Sequence, residues 1–187
     1  MSTLELKELS HPSGEVIKIA SGKTLDLNSQ GTLVLPTVPH AKMPSGSVLQ
    51  VVSAVNITDD SATSSTWVDS SKTLNITPTS TSSKILLMLN TNIYGSIGTA
   101  YWGLRWVRVV GGSSTPLGHA TYGNSYARTA VAHDFFGGVG MSYVDSPSTT
   151  SEITYKIQFY SPHGSNYVGF GVNSGNATTM TIMEIQG

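Results

Sequence analysis

Residues 152–159 read EITYKIQF. Ile153, Tyr155, Ile157 and Phe159 alternate with Glu152, Thr154, Lys156 and Gln158. In an extended chain that spacing puts the apolar side chains on one face and the polar ones on the other, whereas a helix would scatter both around its circumference. The same period of two recurs in both directions. Upstream, Trp102, Leu104 and Trp106 oppose Arg105, Val107 and Val109 in a segment ended by Gly111-Gly112. Leu49, Val51, Val55 and Ile57 share a face, and Leu74 and Ile76 mark a short strand closed by Pro78. Residues 127–136 and 139–144 flank Gly137-Gly138. Downstream, Val168, Phe170 and Val172 alternate with Gly169 and Gly171, and residues 178–185 form a closing strand. Residues 84–94 hold an unbroken apolar run at 85–89, which predicts a strand covered on both sides.

Helical periodicity is nearly absent; only residues 4–9 leave a helical turn and a short strand equally open. Turn residues divide the strands at close to the ~8–12 residues expected of a sandwich or barrel. The fold class is all-β. About eight or nine strands with long crossovers predict a jelly-roll-like β-sandwich rather than a meander.

Ten basic residues nearly balance eleven acidic ones, so no electrostatic footprint for nucleic acid or an anionic membrane exists. The absence of cysteine excludes disulfides, thiolate metal sites and a cysteine nucleophile. The start MSTLELK has neither a cationic nor an apolar signal region. The longest apolar run, residues 85–89, is far short of the ~20 residues that span a bilayer. The expectation is synthesis in a cytoplasm and no membrane insertion.

Three zones divide the chain. Residues 1–20 read as an extended leader, 21–46 as a short stalk and neck, and 47–187 as the β-sandwich head. In SGKTLDLNSQGTLVLP (21–36), Leu25, Leu27, Leu33 and Leu35 share one parity and are split by Asn28-Ser29-Gln30-Gly31. An isolated hairpin of that size buries too little to stand in water. Three copies around an axis would bury all the leucines together. In the closing strand Met180 and Ile182 occupy one face and Met183 and Ile185 the other, so one face needs a cover beyond the chain's own sandwich. The candidates for a trimer core are therefore Leu25, Leu27, Leu33, Leu35, Met180 and Ile182.

The blocks MSTLELKEL, SGKTLDLNSQGTLVLP, GSVLQVVSA, TLNITPTSTSSKILLMLN and TTMTIMEI together resemble the tail-fibre and related structural proteins of bacteriophages, notably of marine and cyanobacterial hosts. Residues 76–86, ITPTSTSSKIL, are the most distinctive block, and residues 95–151 lie outside the resemblance. It implies a homotrimer located in the virion and made in the host cytoplasm. Residues 1–20 would dock on another virion protein of tail or capsid, and the exposed knob would resemble jelly rolls of the tumour-necrosis-factor and C1q type. The resemblance carries no set of binding residues. A capsid decoration or head-fibre trimer is the structural alternative, and a glycan depolymerase the enzymatic one.

Chemistry-bearing motifs are few. Ser21-Gly22-Lys23-Thr24 ends like a phosphate-binding loop, but Ile17 stands where the first glycine belongs. Neither a G-x-S-x-G elbow nor an H-E-x-x-H motif occurs, and no cofactor is expected. Carboxylates are sparse for a glycosidase, which needs two across a sugar. Asp59-Asp60 sits in a Ser/Thr-rich turn and reads as solvated. Glu184 reads either as the partner of Arg105, Arg108 or Arg128 across subunits or as an exposed strand end. His119, His133 and His163 read as polar loop histidines rather than as a metal site.

Aromatics and amides in Gly-rich segments carry the functional expectation. Tyr94, Tyr101 and Trp102 bracket one such segment; His119, Tyr122, Asn124 and Tyr126 lie in a second; His163, Asn166 and Tyr167 lie in a third. Rings that stack on sugar faces, beside amides that bond hydroxyls, suit a host surface polysaccharide. The expected role is receptor binding without catalysis.

Overall fold

The alternation at residues 153–159 becomes an eight-residue strand at the middle of a sheet. In the computed structural model the described residues are 39–95, 101–128, 135–161, 168–171 and 177–187. The leader, the zone holding Leu25, Leu27, Leu33 and Leu35, and the candidates His163, Asn166 and Tyr167 lie outside them. A single 3-10 turn, His40–Lys42, precedes the strands. Eleven strands follow among the described residues: β1 (Val48–Asn56), β2 (Asp60–Ala62), β3 (Val68–Ile76), β4 (Lys84–Gly95), β5 (Tyr101–Val110), β6 (Ser113–Pro116), β7 (Ser125–Arg128), β8 (Phe135–Asp145), β9 (Ile153–Tyr160), β10 (Val168–Phe170) and β11 (Thr178–Ile185).

They form two antiparallel sheets. The six-stranded sheet runs β1-β11-β4-β10-β2, with β8 on the other edge of β4. The five-stranded sheet runs β3-β9-β5-β6, with β7 also paired to β5. One hydrophobic cluster joins their inner faces: Ile85, Leu87, Leu89, Ile93 and Ile182 from the first sheet, with Leu104, Trp106, Ile153, Ile157 and Phe159 from the second. The arrangement is nearly all β and compatible with a β-sandwich. Gly111 and Gly112, at φ 55° and 82°, form the two-residue β5–β6 turn; successive positive φ angles give the twist a tight hairpin requires.

The structure changes the sidedness of several segments. Among the described residues β4 is covered on one face only: Ile85, Leu87, Leu89 and Ile93 are buried, whereas Leu86 is half-buried and Met88 is 37% exposed. Its outward apolar side chains form a face that the described residues leave partly open. In β1 the irregularity between Val48 and Gln50 sets the phase. Val52 and Ala54 oppose buried Ile182 and Met180, leaving Val51, Val55 and Ile57 exposed. Met180 and Ile182, expected at a trimer core, are 3% and 0% exposed inside the chain's own sandwich. Met183 and Ile185 take the outer face instead. Gly137-Gly138 is not a break between strands but part of β8, opposite Ile93 and Asn92. A Cβ on Gly137 would stand 2.8 Å from the Phe135 ring, so the glycine makes room for that ring within the strand.

Three buried polar clusters pin the layers, and two of them correct the sequence expectations. Asp60 is not a solvated turn residue; it accepts a 2.6 Å bond from Lys72 Nζ, whose side chain is fully buried, and joins the β2 edge to β3. Glu184 reaches no arginine. Its carboxylate accepts from Ser83 Oγ, Thr79 N and Oγ1, and Gln50 Nε2 at 2.6–2.8 Å. Arg108 instead meets Asp145 through Nη1, at 2.9 and 3.0 Å to its two oxygens. The Tyr155 hydroxyl also donates to Asp145 at 2.8 Å; burial, the Asp145 hydrogen bond and its charge push that phenol far up, so it stays a neutral donor.

Candidate functional site

Gly103 decides where a site can form. It lies near the start of β5, between inward Trp102 and Leu104, and faces the outside of the five-stranded sheet. Its direct cross-strand partners are Tyr160 on β9 and Tyr126 on β7. Residues directly opposite share a face, so rings from both neighbours stand beside a position that has no side chain. A Cβ on Gly103 would come within 2.3 Å of the Tyr160 ring and 3.2 Å of Trp67. The glycine is what lets those rings lie down on the sheet.

Trp67, from the connection before β3, packs on Tyr160 with ring centroids 4.2 Å apart and planes at 40°. The guanidinium carbon of Arg105 stands 4.2 Å from the centre of the Trp67 ring, a cation–π contact. Arg105, Gln158 and Asp69 form the next cross-strand row on this face. Arg105 Nε donates to Gln158 Oε1 at 2.8 Å, and Gln158 Nε2 donates to Asp69 Oδ1 at 2.6 Å. Lys156 Nζ donates to the other Asp69 oxygen at 2.7 Å. Partial burial alone would raise the Asp69 carboxyl. The Lys156 and Gln158 hydrogen bonds, with the charges of Lys156 and Arg105, outweigh it and hold the group below its ordinary value.

The loop between β6 and β7 supplies the rest. His119 and Gly123 exchange backbone bonds in both directions, at 3.2 and 2.8 Å, closing a tight turn. Gly123 has φ 72°, and a Cβ there would meet the Leu104 carbonyl oxygen at 2.3 Å. Only glycine fits that contact. Asn124 pins the turn to β5: its N–H donates to Leu104 O and its Oδ1 accepts from Trp106 N, both at 2.8 Å. His119 Nδ1 accepts from the backbone N–H of Thr121 and Tyr122, which places the neutral ring's proton on Nε2. Its ring stacks on Tyr122 at 5.0 Å, and Tyr122 meets Tyr126 at 4.9 Å. The Tyr160 hydroxyl donates to Thr121 O at 2.8 Å, tying the loop to β9. Burial and the nearby Tyr126 and Tyr122 push Tyr160 above the ordinary phenol value, so it keeps its proton.

The result is an aromatic face on both sides of Gly103, whose outermost rings, Tyr122 and Tyr126, are 50% and 36% exposed. No protein-family model and no curated protein matches the chain.

Of the residues expected to bind a receptor, His119, Tyr122 and Tyr126 come together here, with Asn124 as their scaffold. Trp102 does not join them. It is 4% exposed, belongs to the core and stacks against Phe135, because the inward parity of β5 claims it. Tyr94 pairs with Phe136 on the six-stranded sheet, away from this site. Tyr101 opens β5, and its side chain lies outside the described residues. Trp67, Arg105, Gln158 and Tyr160 are the members that sequence reasoning missed. The available signal was Gly103, an isolated glycine inside a strand of large residues, which marks a close approach from outside. Among the described residues, no group of three His, Asp or Glu side chains is arranged to hold a metal.

Proposed function

We propose that the chain is a structural component of a bacteriophage virion, a short trimeric tail fibre or appendage. In this reading residues 1–20 attach it to the particle by adding a strand to a partner's sheet edge, and the head binds a host surface polysaccharide without cleaving it. The observation that carries the binding half is the aromatic face over Gly103. Exposed rings of Tyr122 and Tyr126 adjoin a ladder of amide, guanidinium and carboxylate groups, the mix that sugar rings and hydroxyls require. The non-catalytic half rests on the carboxylate count. Asp69 is the one carboxylate of the described face and is already neutralised by Lys156, whereas glycoside cleavage takes two.

Strand order supports a jelly roll. β2 extends the edge that β1 occupies, β10 and β11 both flank β4, and β6 and β7 both flank β5. Merging these three pairs reduces eleven strands to eight, ordered β1-β11-β4-β8 and β3-β9-β5-β6. Two four-stranded antiparallel sheets so ordered suit the double Greek key of that architecture.

Self-association is supported by the outer face of the six-stranded sheet. Val51, Met183, Leu86 and Val144 are aligned there in one cross-strand row, with Val51 54% and Val144 55% exposed. Ser53, Thr181, Met88 and Ser142 form the adjacent uncharged row. An apolar strip depleted of charge is the composition of an interface core. Light scattering on a sizing column is expected to give three times the 19.7 kDa chain mass. Met183→Lys, at the centre of the row, is expected to shift that mass towards the monomer. A monomeric wild type would remove the oligomer from the reading.

Receptor binding is tested on an array of bacterial capsular and lipopolysaccharide glycans. Tyr122→Ala is expected to weaken the wild-type signal about tenfold, about 1.4 kcal/mol, by removing an exposed stacking ring that the fold does not need. A trimer that decorates virions yet binds no glycan would establish the cement role instead, and release of reducing ends would establish a depolymerase.

A further inference from the structure

Resting on the glycan-binding reading, we infer that this face selects an acidic sugar, whose carboxylate meets the guanidinium of Arg105 while its ring lies against the neighbouring tyrosines. Arg105 is held in advance of any ligand. Its Nε is committed to Gln158 at 2.8 Å, and its guanidinium lies against Trp67. Among the described residues no protein acceptor stands against Nη1 or Nη2. The planar pair of terminal amino groups is therefore left to a ligand, and two parallel N–H donors match the two oxygens of a carboxylate. The surrounding charge agrees. Asp69, the nearby anion, is occupied by Lys156 and Gln158, and Arg105 and Lys156 against Asp69 leave a local excess of one positive charge.

The spacing fits one sugar residue. Tyr126 stands opposite Gly103, two residues along β5 from Arg105, or about 7 Å. A ring resting near Tyr126 brings its carboxylate to Arg105. The whole chain, with a formal charge of −1, supplies no general attraction for polyanions, so the selectivity is local.

The test measures binding of the full chain to polygalacturonate, alginate and hyaluronate by biolayer interferometry. Each polymer is paired with its carboxyl-reduced, neutral counterpart, and dextran sulfate is included. The expected result is binding to at least one acidic polymer and a loss of about 10- to 100-fold on carboxyl reduction. Arg105→Gln and Arg105→Lys should show the same loss, on the acidic polymer only, with unfolding midpoints close to wild type. Lysine keeps the charge but not the two-point geometry, so its failure distinguishes carboxylate recognition from ion exchange. Equal binding of native and reduced polymers, or Arg105→Lys binding as well as wild type, would overturn the inference while leaving glycan binding in place. Preference for dextran sulfate with indifference to Arg105→Lys would overturn it in favour of simple charge attraction. Binding to neither acidic nor neutral polymers would overturn the glycan reading itself, and this inference with it.

Discussion

Asp60→Ala is expected to destabilise the head by about 3–5 kcal/mol, the cost of removing one partner from a buried ion pair. The Lys72 side chain is wholly buried, while that of Asp60 is 16% exposed. Lys72 Nζ also donates to the Thr58 carbonyl and, at 3.4 Å, to Ser71 Oγ, but both are neutral acceptors. Without the Asp60 carboxylate the ammonium stays desolvated and loses its counter-charge. For a domain of this size the loss corresponds to a midpoint lower by roughly 6–20 °C. Lys72→Met should cost less, because the remaining carboxylate is partly exposed and keeps the N–H and hydroxyl of Ser71. The double variant Lys72→Met, Asp60→Leu should recover most of the loss, since a buried pair replaced by apolar groups is often neutral. Urea unfolding of the four proteins measures the cycle. A fall below about 1 kcal/mol for Asp60→Ala would mean that water reaches Nζ and that the pair is no pin.

That pair also shows where sequence reasoning stops. The period of two at 153–159 and 102–106 is a local property, and β9 and β5 are legible from it: Ile153, Ile157 and Leu104 are fully buried where their parity places them. Parity does not say whether an outer face will be covered. β4 therefore looks buried on both sides although Met88 and Leu86 face outward, and Met180 and Ile182 cannot be told from Met183 and Ile185 until the sheet partners are known. Asp60 looks solvated because its neighbours in sequence are polar; its burial depends on Lys72, twelve residues away. The candidate site is less legible still. His119, Tyr122 and Tyr126 lie within one short stretch of sequence, the β6–β7 loop and the start of β7, and composition alone groups them. Trp67, Asp69, Arg105, Gln158 and Tyr160 come from three separate segments, and the cross-strand register of β3, β5 and β9 assembles them. Register follows from the pairing of whole strands, which no single segment reveals.

Glu184→Ala is expected to cost about 3 kcal/mol or more, because it orphans donors rather than merely deleting a contact. The carboxylate is fully buried and collects the closing strand β11, the β3–β4 connection through Thr79 and Ser83, and the edge strand β1 through Gln50. Glu184→Gln should cost less, since one amide oxygen still receives Ser83 and Thr79, but its amino group would oppose the Gln50 donor. The pH dependence separates charge from packing. Burial alone would raise the Glu184 carboxyl; hydrogen bonds from Ser83, Gln50 and Thr79 outweigh it and hold the folded value below the ordinary 4.5. A carboxyl depressed by folding contributes stability that is fully present above its unfolded value and lost as pH falls through the folded one. Wild type should therefore lose stability below about pH 4.5, and Glu184→Gln should lose less over the same interval, with Asp69 supplying part of the remaining slope. Denaturant titrations at pH 7, 5, 4 and 3 measure both. Equal acid slopes in the two proteins would show that Glu184 is not the group that titrates. The same side chain also fixes which apolar residues face outward. A one-residue slip of β11 would carry Met180 and Ile182 out and Met183 and Ile185 in, so the anchor that holds Glu184 inside also holds Met183 in the row available to another subunit. Loss of Glu184 should therefore weaken self-association along with stability, whereas Met183→Lys should weaken self-association alone.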